Sequence, residues 1–307
     1  MSERIESKLS KVPVLNLLIR FIQKIKIPGL KGMSLYDLLE LYSIGIVKGA
    51  LTARAGGIAF SFLMAIFPFL IFILTLIRYV PIDGFQEDFL YLMEQWLPPT
   101  TSSAAYEQVI SYITNHNYGG LLSVYFIASI LLMTNGINAI FGGFEYSYHV
   151  EVGRNVIKQY FIALAVSIML AIYLLMTVAV AFYFELGMEQ LKAGGYVSDE
   201  VFWIILSQKV FFALMVFISV ATLFYFGTKE GRYYSFISAG SILTTLLILL
   251  LIYLFGIYVV KFSKYNELYG SIGTLLIFML FIWLNSIILL LGFELNASLH
   301  KIKKRID

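Results

Sequence analysis

Six segments of this 307-residue chain are long and apolar enough to cross a lipid bilayer. They lie at about residues 56–79, 119–143, 157–183, 203–227, 235–259 and 269–295. Each contains an uncharged run of roughly the 20 residues that a helix needs to cross about 30 Å of hydrocarbon. Lipid offers the backbone no hydrogen-bond partner, so each crossing is predicted to be a helix. The predicted fold class is all-α: a polytopic membrane protein with six transmembrane helices and interfacial amphipathic helices.

The composition agrees with a membrane protein. The chain is 60% hydrophobic and only 13% charged, with a mean hydropathy of +0.84, which is far more apolar than a soluble domain. Cysteine is absent, which excludes disulfides and thiolate catalysis. No repeat or low-complexity linker divides the chain. We therefore predict a membrane domain at 54–299, an amphipathic cytoplasmic segment at 1–53 and a basic cytoplasmic tail at 300–307.

The positions of the basic residues predict the orientation. Most of the 22 Lys and Arg residues precede the first segment, follow the last, or lie in the connections at about 142–158 and 227–235. The connection at 80–118 has none. By the positive-inside rule, both termini are expected in the cytoplasm of a bacterial-type inner membrane. The basic face then meets membrane lipids rather than nucleic acid. Oligomeric state stays open.

Two regions outside the crossings are predicted to be helical. Ser34-Leu-Tyr-Asp37 is similar to a capping box, with aspartate in place of the usual glutamate, and predicts the start of a helix. The long connection between the first two crossings favours two amphipathic helices at about 83–116. Those two helices either form a cap over the outer mouth of the bundle or lie on the membrane surface as an interfacial pair.

Three stretches resemble a known family. They are ARAGGIAFSFLMAIFPFLIFILTLI, LLSVYFIASILLMTNGINAIFGGFEYSYH and YGSIGTLLIFMLFIWLNSIILLLGFELNA, in the first, second and sixth segments. Together they resemble the YihY/BrkB family of inner-membrane proteins. The resemblance implies a six-helix membrane protein; members have been linked to serum resistance or lipopolysaccharide export, and one carried a ribonuclease label that was later withdrawn.

The first segment combines three helix-weakening residues. Gly56 and Gly57, beside Ala55 and Ala59, predict close packing against another helix. Pro68 lies about 20 Å of helical rise beyond Arg54 and predicts a kink near or beyond mid-membrane. That kink either opens a cavity or is tolerated as packing.

Few residues are candidates for chemistry. His149, Glu151 and Arg154 crowd one cytoplasmic loop, for which a solvated turn with local ion pairs is favoured over a catalytic site. No HExxH or phosphate-binding loop occurs. We predict no catalytic residue, no metal site and no cofactor, so an enzyme is the less favoured interpretation.

Polar residues within the crossings are more informative, because unpaired polar groups are costly in hydrocarbon. Asn135 and Asn138 share one helix face, and Asn285 lies near the middle of the sixth segment. They are predicted either to line a hydrophilic seam for a substrate or to bind neighbouring helices. Arg54 and Glu294 lie at similar depth near the inner ends of their segments, so we predict that they pair or share a polar cluster.

These features favour a transporter or flippase-like protein for a lipid or other amphiphile of the cell envelope. The alternative is a non-catalytic envelope scaffold or assembly factor with a closed bundle. A membrane-bound hydrolase or nuclease is the third.

Overall fold

The computed structural model describes residues 26, 34–48, 50–77, 121–147, 149–150, 153–193, 201–233, 235–261 and 271–306. Regular structure in these residues is helical, apart from an isolated bridge between Lys26 and Ser34. The helices are α1 (Leu35–Lys48), α2 (Leu51–Ile77), α3 (Leu121–Glu145), α4 (Val156–Ala193), α5 (Val201–Gly227), a 3-10 helix (Glu230–Tyr233), α6 (Ala239–Lys261) and α7 (Ser271–Ile306). The predicted all-α fold class is confirmed.

Five helices contain stretches that are long and apolar enough to cross a membrane. These are Ile127–Glu145, Val156–Thr177, Leu206–Gly227, Ala239–Val259 and Leu275–Lys304. Helix α2 contains a shorter apolar stretch, Leu51–Ile66. The described residues thus hold five helices able to cross a membrane, as in a multi-pass membrane protein, where the sequence predicts six crossings. The predicted outer helices at 83–116 lie outside the described residues.

The start of α1 confirms the predicted capping box. The backbone N–H of Ser34 donates to Asp37 Oδ2 at 2.8 Å, and the N–H of Asp37 donates to Ser34 Oγ at 3.3 Å. Ala50, between α1 and α2, has a φ of 47°, a left-handed conformation that side chains other than glycine rarely adopt. Its carbonyl accepts hydrogen bonds from the N–H groups of Ala53 and Arg54. This turn therefore begins α2 and sets the position of Arg54.

The long helices form a closed ring in chain order. Each of α2 to α7 packs against the next, and α7 returns to pack against α2. Helix α1 packs against α7, and α3 also contacts α5 and α7. Contacts between their residues bring the N-terminal ends of α2, α4 and α6 to the C-terminal ends of α3, α5 and α7. We call this the basal end.

The apolar core at the basal end is built on three phenylalanines. Phe144 of α3 stacks on Phe293 of α7 with ring centroids 4.2 Å apart, and Phe224 of α5 meets both rings edge-on at 5.6 Å and 6.0 Å. All three side chains are buried. Such aromatic pairs contribute about 0.5–1.5 kcal/mol each beyond simple burial, so they hold three non-adjacent helices together.

Close helix packing occurs at different glycines from those predicted. A Cβ added at Gly56 or Gly57 would meet no heavy atom within 4 Å in the described part of the chain. Their neighbours Ala55 and Ala59 are fully buried instead, because the rotation of α2 turns the alanines, and not the glycines, towards the core. The prediction of close packing at Gly56 and Gly57 is therefore wrong. Helix α2 continues through Pro68, and the kink there stays a prediction.

The closest approach between helices is that of α6 and α7. A Cβ at Gly292 would overlap Thr244 Oγ1 and lie 2.9 Å from the carbonyl oxygen of Gly240. A Cβ at Gly240 would in turn overlap the carbonyl of Gly292. Both positions require glycine because backbone atoms occupy the space of a side chain.

Helix α7 extends into the predicted basic tail. It runs to Ile306, and Ile302 is fully buried. Most of the predicted tail at 300–307 thus forms about the last two turns of a helix that packs against α1.

Candidate functional site

An ion pair joins α2 to α7 at the basal end. Arg54 Nη2 lies 3.0 Å from Glu294 Oε1, and the two side chains are only 8% and 0% exposed. Arg54 Nη1 also donates to the carbonyl oxygen of Gly143, near the end of α3, at 2.7 Å. One guanidinium therefore links three helices. The pair that the sequence predicts from matching depths is present.

Glu294 accepts a further hydrogen bond from the segment after α3, and its charge acts on a tyrosine of α1. Ser147 Oγ donates to Glu294 Oε2 at 2.8 Å, and the backbone N–H of the buried His149 donates to Ser147 Oγ at 3.3 Å. Burial, together with the charge of Glu294, raises the pKa of Tyr42 in α1 to about 12. We call Tyr42, Arg54, Ser147, His149 and Glu294 the basal cluster.

The basal cluster lies directly against the aromatic core. Phe293 precedes Glu294 on α7, and Phe144 follows Gly143 on α3. The polar groups and the aromatic rings thus occupy successive positions on the same two helices. Together they close the centre of the bundle at this end with a charged layer next to an apolar one.

Arg154 belongs to a second polar group at the same end. Its Nη1 donates to the carbonyl of Phe226 at 2.6 Å, its Nη2 donates to the carbonyl of Thr228, and its backbone N–H donates to Glu145 Oε1 at 3.1 Å. Burial lowers the pKa of Arg154 from its usual value, opposed by the charge of Glu145. Arg154 therefore acts as a C-terminal cap of α5, where cations satisfy the last carbonyls.

The predicted loop cluster is thus divided. His149 joins the basal cluster through its backbone N–H, Arg154 caps α5, and Glu151 lies outside the described residues. Across the described residues, no group of three His, Asp or Glu side chains is placed to hold a metal ion.

The three asparagines of the predicted seam occupy different surroundings. Asn135 is exposed, whereas Asn138 is half-buried and its amide lies 3.2 Å from that of Gln159 in α4. With the Gln159 amide assigned from its hydrogen-bond surroundings, its nitrogen faces Glu145 Oε2 at 2.9 Å. Asn285 donates to the carbonyl of Phe281 on its own helix at 2.8 Å. Within the described residues, no hydrogen bond joins these asparagines to one another, and the seam stays a prediction.

Two partners were missed by reasoning from the sequence. Ser147 and Tyr42 are ordinary residue types at unremarkable positions, and only the fold brings them to Glu294. Asn296 was missed as well: its amide accepts from the N–H of Gly240 and donates to Ser238 Oγ, both at 2.8 Å. Its position two residues after Glu294, directly after the sixth hydrophobic segment, was the available signal.

Comparison with known proteins identifies relatives over most of the chain. The family model described as "Virulence factor BrkB" matches residues 46–306. A ribonuclease-like protein of Bacillus subtilis (strain 168), YfkH, is 32% identical over 262 residues, covering 83% of this chain and 92% of the relative. A UPF0761 membrane protein of Coxiella burnetii (strain Dugway 5J108-111) is 26% identical over 251 residues, covering 78% and 84%. No solved structure matches. The chain is a member of the BrkB family of membrane proteins.

Proposed function

We propose that this protein resides in a bacterial cytoplasmic membrane and moves a lipid or another amphiphile of the cell envelope between the two leaflets. In this proposal α2 crosses the membrane in addition to α3–α7, which makes six crossings in all. The basal end and both termini face the cytoplasm. The basic residues near the ends of the hydrophobic segments support that orientation through the positive-inside rule.

The observation that carries the proposal is a difference between the two ends of the ring. On α6, Ser241, Thr244 and Thr245 are buried at the basal end. From residue 246 to residue 259, the described side chains of the same helix are all exposed or half-buried. A helix that is packed at the basal end and exposed beyond it suits a transporter whose helices separate at one side at a time.

The basal cluster is the seal that must open in such a cycle. Separating α2 from α7 requires the Arg54–Glu294 pair to break, which is costly unless both charges find water or new partners. Arg54 Nε is already buried without a hydrogen-bond partner among the described residues. Rearrangement of α2 against α7 would let Arg54 Nε gain a hydrogen-bond partner and so remove the cost of burying it unpaired. The polar side chains of Asn138 and Asn285 would then face a substrate headgroup passing between the helices.

Reconstitution in liposomes tests this function. Fluorescent lipids of several headgroup classes are placed in both leaflets, and a reductant that cannot cross the membrane bleaches the outer leaflet. We expect the protein to carry inner-leaflet label outwards, so that bleaching proceeds well beyond one half. Glu294→Gln, which weakens the seal, should change the rate, while Lys229→Gln, an exposed charge at the same end, should not. Folded protein that moves none of the lipids contradicts the proposal.

The scaffold alternative has an observation of its own. The stacked Phe144 and Phe293, with Phe224 against both, form a rigid centre that suits a closed structural bundle. A scaffold would leave bleaching at one half with every lipid, in wild type and variants alike, so the same assay separates the two functions.

A further inference from the structure

A groove of about 680 Å³ lies at the basal end between α4, the last residues of α5 and the 3-10 helix. It is separate from the basal cluster, whose residues are not among those that line it. Its volume is in the range of sites that hold small organic ligands. The groove combines a basic rim with an apolar wall.

The rim carries two cations without partners. Lys158 at the start of α4 and Arg232 in the 3-10 helix both line the groove and are exposed. Neither pairs with a carboxylate in the part of the chain that the structure describes. Arg154, close by, is already used by the carbonyls of α5. Two unneutralised cations at one mouth attract an anion.

The wall of the groove is apolar and follows α4. Phe161, Ile162 and Met169 line it beyond Lys158, and Phe161 is 65% exposed. From Lys158 to Met169 the helix rises about 16 Å at 1.5 Å per residue. A small free anion gains no binding energy from an apolar wall of this length. An acyl chain that lies along the wall buries apolar surface against it.

We propose that this groove binds one anionic phospholipid of the cytoplasmic leaflet, with its phosphate at Lys158 and Arg232 and an acyl chain along Phe161, Ile162 and Met169. The site rests on the orientation proposed above, which places the basal end at the inner surface. Basic side chains that meet anionic headgroups each strengthen binding by a factor of about five.

Native mass spectrometry of the detergent-solubilised protein tests the headgroup contact. With phosphatidylglycerol and phosphatidylcholine of the same chain length, we expect one phosphatidylglycerol to be retained preferentially. Lys158→Gln and Arg232→Gln should each weaken its binding about fivefold, and the double variant about thirtyfold. Lys229→Gln is the matched control because Lys229 is exposed nearby but does not line the groove. Equal retention of the two lipids, or equal effects of all three single variants, would overturn the site.

A second pair of variants tests the acyl chain. Ala165→Phe fills the groove, whereas Ile168→Phe adds an aromatic ring on the same helix outside it. Only Ala165→Phe should reduce phosphatidylglycerol binding. If glycerol phosphate displaces the lipid at equal concentration, the groove is an anion site and not a lipid site.

These binding measurements depend neither on lipid movement nor on the orientation of the protein in the membrane. Selective binding without movement in liposomes would remove the transport function and leave the lipid site standing. Movement of lipid without selective binding would remove the lipid site and leave the transport function standing. Labelling that places the basal end outside would overturn the assignment to the cytoplasmic leaflet.

Discussion

Arg54 and Glu294 lie 240 residues apart in the chain and form a buried ion pair of 3.0 Å between α2 and α7. The pair closes the ring of helices, because these are the helices that begin and end it. Ser147 donates a further hydrogen bond to Glu294, and the carbonyl of Gly143 accepts one from Arg54. A charge pair buried in this way adds modest net stability, but loss of one member leaves the other uncompensated.

Reversal of either charge should therefore be severely destabilising. We expect Arg54→Glu and Glu294→Arg each to cost about 3–5 kcal/mol, seen as loss of monodisperse protein on size-exclusion chromatography and a lower Tm in detergent. The double reversal should recover part of the loss. Recovery is partial because a carboxylate at position 54 would face the carbonyl of Gly143. Equal damage in all three variants would contradict the pairing.

The glycines of α6 and α7 should tolerate no side chain. Gly292→Ala places a methyl group against Thr244 Oγ1, and overpacking of this kind costs about 1–3 kcal/mol. We expect a lower Tm for Gly292→Ala and for Gly240→Ala. Gly57→Ala is the matched control: it is a helical position with no atom within 4 Å among the described residues, where alanine should be neutral or stabilising by up to about 1 kcal/mol. A similar Tm for all three variants would contradict the close approach.

Removal of the Arg154 cap should loosen the end of α5. Arg154→Gln loses the charge-assisted hydrogen bonds to the carbonyls of Phe226 and Thr228, each of which contributes about 1.5–3 kcal/mol. We expect faster amide hydrogen exchange in the last turn of α5 and the 3-10 helix. Arg154→Lys should be intermediate, because an ammonium keeps the charge but not the planar fork. Unchanged exchange in both variants would show that water replaces the cap.

Tyr42 should make stability fall at alkaline pH. Its pKa is about 12 in the folded protein against about 10 for a free tyrosine, so the folded state holds the proton more tightly. Between these values the unfolded state binds fewer protons, and stability decreases as pH rises. Below about pH 10 the contribution is fully present. Tm measured at pH 9 and pH 11 should therefore drop less in Tyr42→Phe than in wild type; an identical drop would contradict the raised pKa.

Single-cysteine labelling tests the proposed orientation in a chain without cysteine of its own. Ser235→Cys is exposed at the basal end, and Ala193→Cys marks the last residue of α4. In intact spheroplasts, a membrane-impermeant maleimide should label Ala193→Cys, and Ser235→Cys only after permeabilisation. The opposite pattern would invert the topology and place both termini outside.

Much of the architecture follows from the chain itself. A helix needs a set length to cross a bilayer, and unpaired polar groups within that length are costly. The segments that become α3 to α7 can therefore be recognised in the sequence as hydrophobic runs. The same penalty made Arg54 and Glu294 recognisable as partners, because two opposite charges at similar depth near the inner ends of their segments are each costly unless they pair.

Helix rotation and ring closure were decided by the tertiary structure alone. Hydrophobic runs have nearly the same composition on every face, so nothing in them shows that Ala55 turns inwards while Gly57 turns out, or that Gly240 meets Gly292. The partners Ser147 and Tyr42 come from segments that only the packing of α1 and α3 against α7 brings to Glu294. Length and polarity are properties of each segment, whereas rotation and contact depend on what the neighbouring helices present.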